Sequence, residues 1–179
     1  MSRPPVTTTA QLLTLDRSTA RHELVRGKLR TMPLNGCWHG AVAAHLICCV
    51  SRFVRRHRLG QCVGSSGFRL ASNPDTVLAA DFSFVRAERV PKRLTWDYFA
   101  GPPDLAAEVL EPDEPMAVAD DRVAMWLEHG TRSVWVVHPR LALVAVHPAE
   151  GAGAVFAGNE QLTDPVVPRL RFRVSELFA

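Results

Sequence analysis

No run of about 18 apolar residues, the length a bilayer-crossing helix needs, occurs in this sequence, and its opening, MSRPPVTTTAQLL, lacks the basic segment, apolar stretch and cleavage site of a secretory signal. Both absences predict a soluble, unsecreted, cytoplasmic protein that engages no membrane. Cysteine is sparse and unpatterned: Cys37, Cys48, Cys49 and Cys62 form no CxxC pair and have no histidine at finger spacing. That argues against a finger-type zinc site and against disulfides. It predicts reduced, buried thiols, with Cys48 and Cys49 acting as small hydrophobes. Acidic residues are nearly missing from the first 70 positions, which hold 2 Asp/Glu against 11 Lys/Arg, whereas residues 71–179 hold 16 against 10. A basic first part and an acidic second part suit a phosphate ligand held near a cation site; they also suit two solvated faces of one domain.

At 179 residues and 47% hydrophobic, the chain is long enough for one good core and too short for two ordinary domains, so one domain over residues 1–179 is expected. The threonine run before Ala10 supplies N-cap hydroxyls for a short helix from Thr8 or Thr9 to near Ser18. HELVRGKLRTM then reads as two strands about a tight turn at Gly27, with Glu23 at the start of the hairpin. Apolar residues at spacings of three and four, Val42 to Val54, predict an amphipathic helix over 39–58. Arg52, Arg55, Arg56 and Arg58 fall at its C-terminal end, where either the helix dipole or a phosphate ligand accounts for them.

QCVGSSGFRL and TVLAADFSFV read as a strand pair separated by Ser72-Asn73-Pro74-Asp75. A partly ordered loop is expected over 88–103, its Trp96, Tyr98 and Phe99 either packed on the domain or facing a nucleic acid. DLAAEVLE gives a buried strand, residues 115–129 a second helix stopped at Gly130, and SVWVVHP with ALVAVHP a central hairpin. The tail, RLRFRVSELF, suggests a last edge strand or cap. The order is α-β-β-α-β-β-β-α-β-β with a β-rich tail, an α/β architecture of helices packed on a central mixed sheet.

Two carboxylates stand out because each lies in an otherwise apolar stretch: Asp81 in VLAADFSFV and Glu108 in PPDLAAEVL. A buried ionised carboxylate needs a cation, hydrogen bonds or strand-end exposure in compensation. Salt bridges to arginines would serve, and so would a divalent metal, which would also organise a phosphate for attack by water.

Several segments, in order, resemble the restriction-endonuclease family of the PD-(D/E)XK nuclease superfamily. HELVRGKL resembles its Glu-Leu-x-x-Gly-x-Leu opening, and His39 opens a helix as the family's histidine does. ADFSFV is similar to Pro-Asp-Val-x-Phe-Val, GPPDLAAEVLEP to Pro-Pro-Asp-Leu-Val-Val-Glu-Val-Leu-Ser-Pro, and HGTRSVWVVHP to Gly-Val-x-Glu-Tyr-Trp-Leu-Val-Asp-Pro. The resemblance implies a restriction-endonuclease-like fold and hydrolysis of DNA phosphodiesters. It also implies that Asp81 and Glu108, with the Val109 carbonyl, hold Mg²⁺ or Mn²⁺, that Glu23 adds a third acidic group, and that His39 contacts substrate. Enzymes of this kind often act as symmetric pairs, so a homodimer is implied as well.

The departures are specific. Arg122, four residues before Trp126, stands where the family has a lysine; it keeps the charge but cannot give up a proton, so its expected role is electrostatic stabilisation. Ala80 replaces the proline before the metal aspartate, Glu111 a serine, His138 an aspartate and Val118 an acid. The rival expectation is a catalytically silent member of the same fold that binds nucleic acid or a protein.

Overall fold

In the computed structural model, which describes residues 5–93 and 95–179, helix α1 (Thr9–Leu13) leads into strands β1 (Arg21–Val25) and β2 (Lys28–Met32). Arg26 and Gly27 both take positive φ, 50° and 71°, as a two-residue hairpin turn requires if it is to match strand twist. Arginine gains nothing from that conformation, and outside bonds hold it there. The Arg26 amide donates to Thr76 Oγ1 at 3.1 Å and the Gly27 amide to the Asp75 carbonyl at 2.8 Å. Helix α1 ends five residues before the expected Ser18, its N-terminus capped by Thr8 and also tied to Asp75, which accepts from the Thr9 amide and hydroxyl at 2.6 Å each.

Helix α2 (Cys37–His57) is followed by β3 (Gly60–Gly64), β4 (Gly67–Ala71), β5 (Thr76–Ala79) and β6 (Phe82–Arg86). The two β-rich stretches do pair with each other, but each is broken in the middle. β4 pairs β5 in one sheet and β3 pairs β6 in another. The joints face each other: the Ser65 amide donates to the Asp81 carbonyl at 3.2 Å. Asp81 is therefore not inside a strand but at the bend where the chain passes from one sheet to the next.

The remaining elements are β7 (Phe99–Ala100), β8 (Leu105–Val109), α3 (Met116–Glu128), β9 (Ser133–His138), β10 (Leu143–Pro148), β11 (Ala154–Ala157) and the short pair β12 (Gln161–Leu162) and β13 (Phe172–Arg173). The strands form a five-stranded sheet, β2-β1-β5-β4-β7, and a six-stranded one, β11-β10-β9-β8-β6-β3, beside the β12-β13 pair. β8 and β9 are parallel, joined through α3, and the other pairs of the larger sheet are antiparallel. The class is the mixed α/β one expected.

Strand periodicity assigns the faces of the larger sheet. Leu105, Ala107 and Val109, with Trp135 and Val137, meet Val42, Leu46, Val50 and Val54 of α2. Their neighbours Ala106, Val134 and Val136 meet Ala119, Val123 and Trp126 of α3. The same alternation turns Glu108 toward α3. The tail covers the α2 side: Leu162, Val167, Leu170, Val174 and Leu177 all join that core. Among the described residues, α2 is the one helix long and apolar enough to cross a membrane. Here its apolar stripe is spent on the sheet, which identifies it as a core helix.

The thiols depart from expectation. Cys37 and Cys48 are exposed and Cys49 and Cys62 only half-buried, because the α2 stripe that faces the sheet runs through Val42, Leu46 and Val50 and leaves Cys48 outside it. Burial pushes the Cys62 thiol up to about 11 and raises that of Cys49, so both hold little thiolate at pH 8. Ellman's reagent at that pH should release two thiol equivalents quickly from the native protein and the rest only slowly or on unfolding; four equal rates would contradict this packing.

Candidate active site

The joint between the sheets leaves Ala79 without a complete ladder, and side chains take over its backbone groups. Glu23 Oε1 accepts from the Ala79 amide at 2.8 Å. The Ala79 carbonyl receives Arg122 Nη2 at 3.1 Å and Arg21 Nη2 at 3.2 Å. Glu23 reaches this point because β1 runs beside β5, Leu24 opposite Val77. It is a buried residue of the five-stranded sheet and not a surface charge, at 1% exposure.

Arg122, from α3, fills the space between the carboxylates. Its Nη1 donates to Glu23 Oε2 at 2.9 Å, and its Nη2 to Glu23 Oε1 at 3.2 Å and Glu108 Oε1 at 2.8 Å. One turn on, the Trp126 indole N–H donates to the same Glu108 oxygen at 2.6 Å. The (i, i+4) spacing puts both donors on one helix face. Both use Oε1, and Glu108 Oε2 receives no hydrogen bond from the described residues. Trp126 is fully buried and also fixes which way Glu108 turns.

Asp81 has a different set of partners. Its Oδ2 accepts from the Val109 amide at 2.8 Å and lies 3.2 Å from His39 Nε2; its Oδ1 receives Arg21 Nη1 at 3.3 Å and Asn35 Nδ2 at 3.4 Å. Arg21 also donates to Asn35 Oδ1 at 3.0 Å. Sequence reasoning missed Arg21 and Asn35. Arg21 sits two residues before Glu23, hence on the same strand face, and that period of two was the available signal; Asn35, in irregular chain before α2, gave none. The structure thus gathers Glu23, His39, Asp81, Glu108 and Arg122 into one cluster. An open cavity of about 570 Å³ lies against it, bordered by His39, Leu110, Glu111 and Arg140.

The charges shift one another. Burial by itself would raise the Asp81 pKa, but the bond and charge of His39, with Arg21 and the Val109 amide, hold it below the usual carboxylate range. Burial would lower that of His39, and Asp81 more than reverses this. Burial carries the Glu108 carboxyl up to about 7, with Asp81 and Glu23 adding to the rise and Arg122 opposing it. Arg122 stays charged, since Glu108 and Glu23 outweigh its own desolvation.

Among the described residues no three His, Cys, Asp or Glu groups converge as a ready-made metal site, and the Arg122 guanidinium occupies the gap between Glu23 and Glu108. The donors that remain, Asp81 and Glu108 Oε2, are hard oxygens. They suit a cation such as Mg²⁺, which keeps several waters and takes one or two carboxylates together with substrate phosphate.

The family model described as "Uma2: Putative restriction endonuclease" matches residues 9–175. The chain belongs to that family. No curated protein matches it. Among solved structures, it is similar to one described as "a putative nuclease belonging to DUF820" from Anabaena variabilis ATCC 29413. The TM-score is 0.81 at 21% identity, covering 97% of this chain and 98% of the other. At that identity the likeness speaks for the fold.

Removing the internal cation gives a test with a definite sign. In Arg122→Met, Glu108 loses the buried counter-charge that opposes its upward shift, so its folded-state pKa rises further above the unfolded one. The stability is then intact below the unfolded pKa and falls as pH rises through the window toward the folded one. Urea melts should show a loss of about 3–5 kcal/mol at pH 8 and a smaller loss at pH 5. An equal loss at both would mean that Arg122 acts by packing alone.

Proposed function

We infer that this chain is a metal-dependent endonuclease hydrolysing phosphodiester bonds in DNA, with Asp81 and Glu108 as the metal-holding pair. The observation that carries the reading is the buried carboxylate cluster at the sheet joint, with Glu108 Oε2 free of hydrogen bonds from the described residues and His39, against Asp81, lining the open cavity. Mg²⁺ or Mn²⁺ bound there would activate water and neutralise phosphate charge. The protein's own part is positional and electrostatic. Val109 and His39 orient Asp81, Trp126 and Arg122 orient Glu108, and Glu23 anchors Arg122. Water adds to phosphorus, one bridging P–O bond breaks, and the leaving oxygen takes a proton. Arg122, permanently charged, stabilises the added negative charge and transfers no proton. His39, at the cavity edge, is the substrate-contacting residue. Cutting both strands would call for a homodimer.

One observation favours a second reading, a silent member of the fold that binds nucleic acid or a protein. Arg122 is already engaged by both glutamates, as an internal substitute for an external cation would be.

Titration calorimetry with Mn²⁺, followed by incubation with supercoiled plasmid, separates the readings. Wild type should bind the ion and nick DNA, while Asp81→Ala/Glu108→Ala, folded by circular dichroism, should do neither. Arg122→Lys should keep activity within about tenfold if the charge is what matters. Ion binding without nicking would establish the silent reading, and no binding would remove the metal assignment.

A further inference from the structure

We propose that a second groove, along the outer edge of the five-stranded sheet, is a binding surface for single-stranded nucleic acid, with Trp96 as the stacking platform. The groove has a volume of about 830 Å³ and is lined by residues of 90–93 and 95–100, α1 and β4, among others. Its lining contains Arg17, Arg69, Arg89 and Arg93 against one acid, Asp97. Of these, Arg89 is committed to the fold, donating to Asp104 at 2.9 Å and to the Pro102 carbonyl at 2.6 Å. Arg17 lies over the Tyr98 ring at 5.5 Å and donates to its hydroxyl. Arg69 and Arg93 are exposed and make no ion pair among the described residues.

Trp96 is fully exposed. The segment that carries it is nevertheless anchored on its C-terminal side. β7 pairs with β4, Phe68 opposite Phe99, and the Gly101 amide donates to the Arg69 carbonyl at 2.9 Å. Tyr98 lies so close over Gly67 that a Cβ there would come within 2.3 Å of its ring. An indole presented bare by an anchored segment, among free guanidinium groups, has the two parts that single-strand binders use. The π-face accepts any unpaired base, and the cations track the phosphates. A duplex hides its base faces and could use only the cations. A protein partner would bury the indole too, but among the described lining residues no other large apolar side chain is exposed to the same degree. The groove shares no residue with the cavity beside the carboxylates, so the proposal stands independently of hydrolysis.

The test is fluorescence anisotropy of a labelled 12-nucleotide oligo(dT) and of a duplex of equal length, in EDTA so that no cleavage occurs. Wild type should bind the single strand more tightly than the duplex. Trp96→Ala should weaken the single strand by at least about fivefold, with Trp96→Phe intermediate. Arg69→Gln/Arg93→Gln should lower the slope of log K against log salt by about 1.4, two phosphates' worth. Asp81→Ala/Glu108→Ala should bind as well as wild type, so loss of cleavage and loss of groove binding are read separately. Unchanged affinity in Trp96→Ala, an equal effect on the duplex, or no binding of either probe would each overturn the proposal, even if wild type nicks plasmid.

Discussion

Three carboxylates buried at one bend in the chain need positive charge, and Arg122 supplies most of it. Ionised Glu23 and Glu108 without a partner would be among the most costly groups in the molecule. The guanidinium meets Glu23 with two bonds and Glu108 with one, and spends another on the Ala79 carbonyl. In doing so it ties α3 to both sheets. The bent hairpin arms run through both sheets and an apolar cluster around α3 joins them, and this ionic contact adds a weld there as well as forming part of the candidate site. Removing one partner of such a cluster costs far more than the cluster adds to stability. Its presence is better explained by what the carboxylates are for than by what they contribute to folding.

The bend at Asp81 is the second half of that constraint. A continuous strand would give every backbone group to its neighbours and point Asp81 to one sheet face. Breaking the strand between Ala79 and Phe82 frees backbone groups that side chains must then satisfy. Glu23, Arg21 and Arg122 do so at Ala79, and the Asp81 amide finds the Ala107 carbonyl at 3.1 Å. Site and joint are therefore one feature: the residues that could hold a cation are those that repair the break.

Much of this was legible in the sequence because the signals were periodic. The α2 stripe and the hairpin about Gly27 follow from spacings of 3.6 and 2, and the strands around Glu108 and Trp135 from short apolar runs. Family-like segments in order named Glu23, His39, Asp81, Glu108 and Arg122, and the structure brings these together. The division into two sheets was not legible, because an apolar run such as VLAADFSFV carries no mark of where pairing changes partner. Arg21 and Asn35 were missed because a polar side chain on a short strand or loop looks like a surface residue until its long-range partner is known. The exposed cysteines were misplaced for a related reason: an apolar helix of 21 residues has an outer face, and composition does not show which residues lie on it.

The lysine-to-arginine departure can now be weighed against geometry. Lysine is a compact point charge that can meet one carboxylate and leave space beside it. Arginine's planar fork spans two, and here it does, engaging Glu23 and Glu108 at once. The same substitution therefore pre-orients Glu108, since Arg122 and Trp126 both take Oε1, and holds Glu23 in a closed ion pair. Glu23 consequently anchors the arginine and has no free oxygen for a cation, whereas Glu108 keeps Oε2. A site that works in this arrangement would rely on two carboxylates, not three, with water and substrate phosphate completing the coordination of a hard divalent ion.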